Sequence, residues 1–128
     1  MPTVSVIMGV YNCKRVDLLD KSIRSIMEQT YTDWEFLICN DGSTDGDMLS
    51  LLNRYEKEDS RIRVLSYEKN RGLCNALNTC LKEAKGKFIA RQDDDDVSKP
   101  QRLQRQVEFL ENHPEYAVVG SIASVTDD

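Results

Sequence analysis

Positive charge is in short supply in this sequence, where 17 lysines and arginines face 22 aspartates and glutamates for a formal net charge of −5. No global positive field exists to attract a phosphate backbone, so nucleic acid is not an expected partner. Long apolar runs are missing too. Stretches such as Val4–Met8 and Ala117–Gly120 fall far short of the roughly 18–20 residues that span a bilayer, and no basic-then-apolar leader opens the chain. A cytoplasmic location with no membrane segment in this chain is expected, membrane association of the full-length protein being left open. Histidine occurs once, at His113, and Cys13, Cys39, Cys74 and Cys80 form no CxxC pair. Zinc-site spacing is therefore absent. The cysteines are expected as reduced core or surface thiols, with Cys39 ending an apolar run and Cys80 on a helical stripe. Neither G-x-G-x-x-G nor G-x-x-x-x-G-K-[ST] occurs, which argues against dinucleotide-binding and P-loop chemistry. No repeat, linker or composition break interrupts the chain, so residues 1–128 read as one domain.

What is present is an alternation of two periodicities. Thr3–Met8, ending at Gly9, and Trp34–Cys39, ending at Asn40-Asp41-Gly42, are β-branched or apolar runs that read as buried strands. Arg61–Tyr67, Lys87–Ala90 and Tyr116–Gly120 read as three more. Between them lies helical spacing. A first helix is expected over Asp17–Gln29 with Leu19, Ile23, Ile26 and Met27 inward, and a second with Met48, Leu51, Leu52 and Tyr55 inward. A third, after Gly72, carries Leu73, Ala76, Leu77, Cys80, Leu81 and Ala84 and is expected to stop at Gly86. A fourth follows Pro100 with Leu103, Val107 and Leu110 inward. Strand and helix in alternation imply a mainly parallel sheet with helices on both faces, a Rossmann-like α/β layer sandwich. Ligands of such sheets sit beyond the carboxyl ends of the strands, which directs attention to the loops after strands one, two and four. The chain stops at Ser124-Val-Thr-Asp-Asp128, past the last expected strand and with no covering helix, as a fragment of a longer protein would.

Those loops hold the chemistry. Asp93-Asp94-Asp95-Asp96 follows strand four, and four adjacent carboxylates repel one another unless solvated or neutralised by a cation. Their hard oxygens suit Mg²⁺ or Mn²⁺, whose sites typically combine one or two carboxylates with substrate phosphates. The plainer alternative is a solvated acidic turn before a helix N-terminus, and the position at a strand's carboxyl end favours metal. Asn40-Asp41-Gly42-Ser43-Thr44-Asp45 can hold a tight turn and present a carboxylate to a base or ribose, while Asp45 caps the next helix. Its Asp41-x-Ser43-x-Asp45-Gly46 opening mimics a calcium loop, but Leu52 stands at the twelfth position, where a bidentate Glu is required, so calcium is rejected. Lys69-Asn70-Arg71-Gly72 could offer a basic side chain and free backbone N–H groups to a diphosphate, or be a solvated loop.

Taken together, Val4-Ser-Val-Ile-Met-Gly-Val-Tyr-Asn12, Ser25-Ile-Met-Glu-Gln-Thr-Tyr31, Asn40-Asp-Gly-Ser-Thr-Asp45, Asn70-Arg-Gly-Leu73 and Ala90-Arg-Gln-Asp-Asp-Asp-Asp96 resemble family 2 glycosyltransferases of the GT-A fold. The resemblance covers essentially the whole chain. It implies transfer of a sugar from a nucleotide-diphosphate donor, expected to be a UDP-sugar, to a saccharide or other hydroxyl acceptor with inversion, assisted by Mn²⁺ or Mg²⁺. It further implies that Val10, Tyr11 and Asp41 frame the nucleobase, with Asp41 accepting a hydrogen bond from uracil, and that Arg71 approaches the base or diphosphate. The D-x-D motif falls on Asp93 and Asp95: Asp95 would bind the metal, and Asp93 or Asp94 would reach the ribose. Two departures stand out. Gly9 replaces a frequent Pro or Thr and would loosen the loop after strand one, and Asn40 replaces a frequent Asp and removes a charge beside the base. No general base is assigned, because the family's base lies well beyond the D-x-D loop. The rival readings are a nucleotide- or metal-binding module without turnover, and a nucleotidyltransferase of similar fold, whose Gly-rich, Lys-containing first loop is missing.

Overall fold

The computed structural model describes residues 2–116 and residue 119. Four strands and four helices alternate: β1 (Val4–Val10), α1 (Val16–Met27), β2 (Trp34–Asp41), α2 (Gly46–Glu58), β3 (Ile62–Tyr67), α3 (Leu73–Glu83), β4 (Phe88–Arg91) and α4 (Arg102–Asn112). The sheet order is β3-β2-β1-β4, with every pairing parallel. The chain thus winds outward from β1 to one edge and returns to β1's other side, which puts β1 at the point where the winding reverses. The expected fifth strand, Tyr116–Gly120, lies outside the described residues apart from Tyr116 and Val119.

The pleat of β1 explains the layers. Val4, Val6, Met8 and Val10 point to one face, where they meet Leu19, Ile23 and Ile26 of α1, Met48, Leu52 and Tyr55 of α2, and Leu103 and Val107 of α4. Ile7 points to the other face, where it joins Leu37, Cys39, Ala76 and Cys80 beneath α3. Each fully buried Leu or Ile in these layers stabilises the fold by about 1.5–3 kcal/mol relative to leaving it in water.

Several expectations need correction. The stripe of α3 is narrower than its sequence suggests: Ala76 and Cys80 are buried, whereas Leu73 and Leu81 are exposed, because one helix alone covers this face and only its innermost line is shielded. The helix ends at Glu83 with Ala84 as its cap, so Gly86 is not its terminator. Gly86 instead passes so close to β1 that a Cβ there would stand 2.6 Å from the Ser5 backbone nitrogen, while its own N–H donates to Ser5 Oγ at 2.8 Å. Nor does Gly9 belong to a loop. It lies inside β1, where a Cβ would approach the Leu73 side chain at 2.8 Å, so its small size serves the packing of α3. The first helix is also shorter than expected, ending at Met27, with Gln29 buried just past it for reasons given below.

Candidate functional site

The carboxyl ends of β2, β1 and β4 open on one edge of the sheet, and with neighbouring strands about 4.8 Å apart their loops stand within about 10 Å of each other. On the β2 side the Asn40–Asp45 turn is held almost entirely by the chain itself. Asn40 Oδ1 accepts from the Ser43 N–H at 2.9 Å, and Asp45 Oδ1 caps α2 by accepting from the Met48 N–H at 3.0 Å. Asn12, in a left-handed conformation at φ 42°, bridges in from the loop after β1. Its Oδ1 accepts from Thr44 N–H and Asp45 N–H at 2.8 and 3.1 Å, and its own N–H donates to Ser43 Oγ at 2.8 Å. The helix-capping role of Asp45 is as expected, and Asn40 is a buried turn residue whose side-chain oxygen serves that turn.

Asp41 is more deeply committed than the sequence suggests. It is 3% exposed, and its carboxylate accepts from the Arg71 N–H at 2.7 Å, the Gly72 N–H at 3.0 Å and the Asn70 side-chain amide at 2.8 Å. The backbone N–H groups of Arg71 and Gly72, which the sequence left as donors either to a diphosphate or to solvent, are taken by Asp41. Gly42 makes this contact possible: it has φ +74°, and a Cβ there would lie 2.4 Å from the Asn70 nitrogen. The Arg71 guanidinium rests 4.8 Å above the Tyr67 ring, a cation–π contact that steers an otherwise exposed side chain along the edge. Tyr11 is 51% exposed at the same edge, whereas Val10 turns its side chain into the core and offers the edge only its backbone.

The acidic loop is built differently. Its backbone is held: Ser22 Oγ donates to the Asp93 carbonyl at 2.8 Å, and the Asp96 N–H donates to the same carbonyl at 3.2 Å. Its carboxylates have few and weak partners. Asp93 meets the exposed Arg91 at 3.3 Å and the Asp96 carboxyl, Asp94 meets the Cys13 thiol, and Asp95 makes no hydrogen bond or ion pair among the described residues. Asp94 is half-buried, and burial, followed by the charges of Asp95 and Asp93, pushes its carboxyl above the ordinary range. Burial and then the same two neighbours shift Asp96 the same way. The Cys13 thiol, in the loop after β1, is also raised, first by burial and then by Asp94, which marks how near the first loop and the acidic loop stand. Among the described residues no three His, Cys, Asp or Glu side chains gather into a complete metal cage. One or two outward carboxylates fit Mg²⁺ or Mn²⁺ shared with substrate phosphates, and do not fit an all-protein site.

These features, a polar turn and an acidic loop flanking the central strand of a parallel sheet, coincide with a sequence relationship. The profile described as Glycosyl transferase family 2 matches residues 5–128. The chain belongs to that family. The chain is 48% identical over 128 residues to the Bacillus subtilis (strain 168) protein named "Putative glycosyltransferase EpsE", covering 99% of the chain and 45% of that protein. It is 40% identical over 107 residues to the Escherichia coli UDP-Glc:alpha-D-GlcNAc-diphosphoundecaprenol beta-1,3-glucosyltransferase WfgD, covering 84% and 40%. The chain thus spans less than half the length of these curated relatives. Among solved structures, the Pyrobaculum calidifontis mannosyltransferase PcManGT, in complex with GDP-Man and Mn²⁺, superposes with TM-score 0.75 at 27% identity over 85% of this chain and 32% of that one. Staphylococcus aureus TarS 1-349, in complex with UDP-GlcNAc, gives 0.77 at 26% identity over 89% and 33%. The GT-A fold expected for a family 2 glycosyltransferase is therefore the fold observed.

A buried polar layer behind the acidic loop was not anticipated. Ser22, Ser25, Gln29, Gln92 and Ser98 are all buried, and Arg102 reaches into the same layer from α4. The sequence signal is two serines on the inward side of α1, interleaved with Ile23 and Ile26, and a glutamine just past its end. Their partners lie about seventy positions away, which local spacing cannot reveal.

Proposed function

We propose that this chain is the nucleotide-sugar-binding part of an inverting glycosyltransferase that takes a nucleotide-diphosphate donor, UDP-linked, and passes its sugar to an acceptor hydroxyl with a divalent ion at the acidic loop. The observation that carries the reading is the pairing of two sites across β1. A carboxylate has about four acceptor positions, and three of those on Asp41 take donors from residues 70–72, leaving one on Oδ1, with the buried Tyr67 hydroxyl as a neighbouring donor. A single ring N–H, such as that of uracil, matches that vacancy, with Tyr11, Arg71 and the Val10 backbone as the surrounding frame. Across β1, Asp95, with Asp93, would hold Mn²⁺ or Mg²⁺, and Asp94 or Asp93 would meet the ribose. The ion would neutralise charge developing on the departing diphosphate. Arg71, steered by Tyr67, brings a second positive charge toward the diphosphate. The one-third to one-half shares of the related proteins that this chain covers support treating it as the donor half, with the general base and acceptor wall placed by us in their remaining length. Four free cysteines suit a reducing compartment, in keeping with a cytoplasmic site of action.

Calorimetric titration of UDP, CDP and GDP with and without Mn²⁺ tests the reading. UDP should bind more tightly than CDP, whose ring lacks the N–H, and should need the ion. Equal affinity for UDP in excess chelator would remove the metal role, and equal affinity for UDP and CDP would remove the Asp41 role. A module that binds without turnover is separated by donor consumption with an acceptor panel in the full-length protein.

A further inference from the structure

We propose that Gln92 is the positioning residue of the acidic loop: its buried side-chain amide sets where the Asp93–Asp95 carboxylates stand, and through them the affinity for the divalent ion. The inference rests on the metal role proposed above and assigns a determinant that does not touch the ion or the donor. Gln92 follows β4 directly, is 3% exposed, and its backbone N–H donates to the Ile7 carbonyl of β1 at 3.0 Å. The two hydrogens on its Nε2 donate to the Asp96 carbonyl at 2.7 Å and to Ser22 Oγ at 3.0 Å, the second shared weakly with Ser25 Oγ at 3.4 Å. Its Oε1 accepts from Ser98 Oγ at 2.7 Å and from the Arg102 guanidinium at 3.0 Å.

The loop is thereby pinned at both ends by one cluster. Its first carbonyl, at Asp93, accepts from Ser22, and its last, at Asp96, accepts from Gln92, which itself bonds Ser22. Ser25 Oγ accepts from the Ser98 N–H at 3.0 Å, and Gln29 ties the following chain by donating to the Lys99 carbonyl at 2.7 Å and accepting from the Leu103 N–H at 3.0 Å. Every bond in this layer goes to backbone or to another neutral or cationic group, so none consumes a loop carboxylate. Arg102 forms no ion pair among the described residues, Asp96 acting on it only at longer range, and its donors serve Gln92, Ser98, Gln106 and the Arg91 carbonyl. Removing this amide alone would leave the Ser22, Ser25 and Ser98 hydroxyls, the Arg102 guanidinium and the Asp96 carbonyl each short of a partner, whereas an apolar layer replacing all of them could be comparably stable. What the polar layer adds is a fixed direction for a loop whose carboxylates otherwise push each other apart.

The test compares Gln92→Met with the parent in the full-length protein. Mn²⁺ affinity in the presence of saturating UDP is read from the paramagnetic resonance signal of the free ion, and uridine affinity is read separately by calorimetry. Removing a group that orients metal ligands typically weakens metal binding 10- to 100-fold, and that loss is expected here with uridine affinity kept within about twofold. Ser22→Ala, which removes the tie at the loop's other end, should show the same split with a smaller loss and serves if Gln92→Met does not fold. Mn²⁺ affinity within twofold of the parent in a folded variant overturns the proposal, as does an equal loss of Mn²⁺ and uridine affinity, which would mean general loosening. A parent whose UDP affinity ignores Mn²⁺ overturns the functional reading beneath it, so the two failures are distinguishable.

Discussion

The two loops that flank β1 solve opposite problems. The Asn40–Asp45 turn and the 70–72 segment satisfy each other: Asp41 is buried with three donors, Asn12 bridges the neighbouring loop, and the shape exists before any ligand arrives. The acidic loop has its backbone fixed and its charge unresolved, with Asp94 and Asp96 pushed toward their protonated forms by burial and by one another's neighbours. One region is a mould and the other a demand for positive charge. Binding at the first should cost little rearrangement, whereas binding at the second should be governed by counter-ion and pH.

The sharpest way to break this comparison is Asp41→Ala. Three donors on exposed or half-buried residues would lose their acceptor, and because water can replace part of the about 1–3 kcal/mol that each unsatisfied group costs when buried, a loss of about 2–4 kcal/mol in unfolding free energy is expected. Urea denaturation checks it, and a loss under about 1 kcal/mol would show that the contact is not a structural latch. Gly42→Ala attacks the same latch from the other side. The left-handed backbone costs about 1–2 kcal/mol for a residue with a Cβ, and the 2.4 Å clash with Asn70 adds to it, so about 2–3 kcal/mol is expected by the same assay. An unchanged midpoint would mean that the 69–70 segment moves aside freely.

Asp95→Ala probes the other region and should behave in the reverse manner. Stability should stay within about 0.5 kcal/mol of the parent, since an exposed, unpartnered carboxylate is removed, while the Mn²⁺ dependence of UDP binding drops at least tenfold. Retained ion dependence in calorimetry would move the metal away from this residue. The smallest effect expected is a proton signal. The folded-state pKa of Asp94 lies above its ordinary value of 3.8, so the folded protein holds this proton more tightly than the unfolded chain does. Ionising Asp94 therefore costs stability once the pH is above its folded value, and that cost is relieved as pH falls through it. A divalent ion beside Asp94 favours its ionised form, so Mn²⁺ affinity should decline on acidification at a higher pH than an ordinary carboxylate would set. Titrations across the acidic range above 3.8, in buffers of different ionisation heat, should reveal proton release, and identical heats would count against it.

How much of this was legible from the sequence follows the same division. Strands and inward helical faces could be read because burial repeats at fixed spacing, as at Val4, Val6 and Met8 or at Met48, Leu51, Leu52 and Tyr55. The three loops could be placed because strand order dictates which ends face together. Contacts between distant segments could not. Nothing near Asp41 in the chain announces Arg71 and Gly72 as its partners, and Ser22 and Ser25 look like tolerated polar residues until Gln92 is brought beside them. Gly86 was misread for a related reason: glycine after a helix fits a cap, and only the position of Ser5 shows that it marks a close crossing.

The near-complete occupation of the Asn40–Asp45 turn bears on how donor preference can diverge among relatives. A segment whose side chains are engaged in holding its own shape and its neighbours' cannot be altered to suit a new nucleotide without dismantling the wall of the pocket. The side chains of Tyr11 and Arg71 carry no such duty; both are exposed, and the Arg71 guanidinium is steered by the ring beneath it. Substitutions that retune which nucleotide is accepted should accumulate at these two positions, while Asp41, locked into the turn, stays constant and offers every relative the same acceptor for the base.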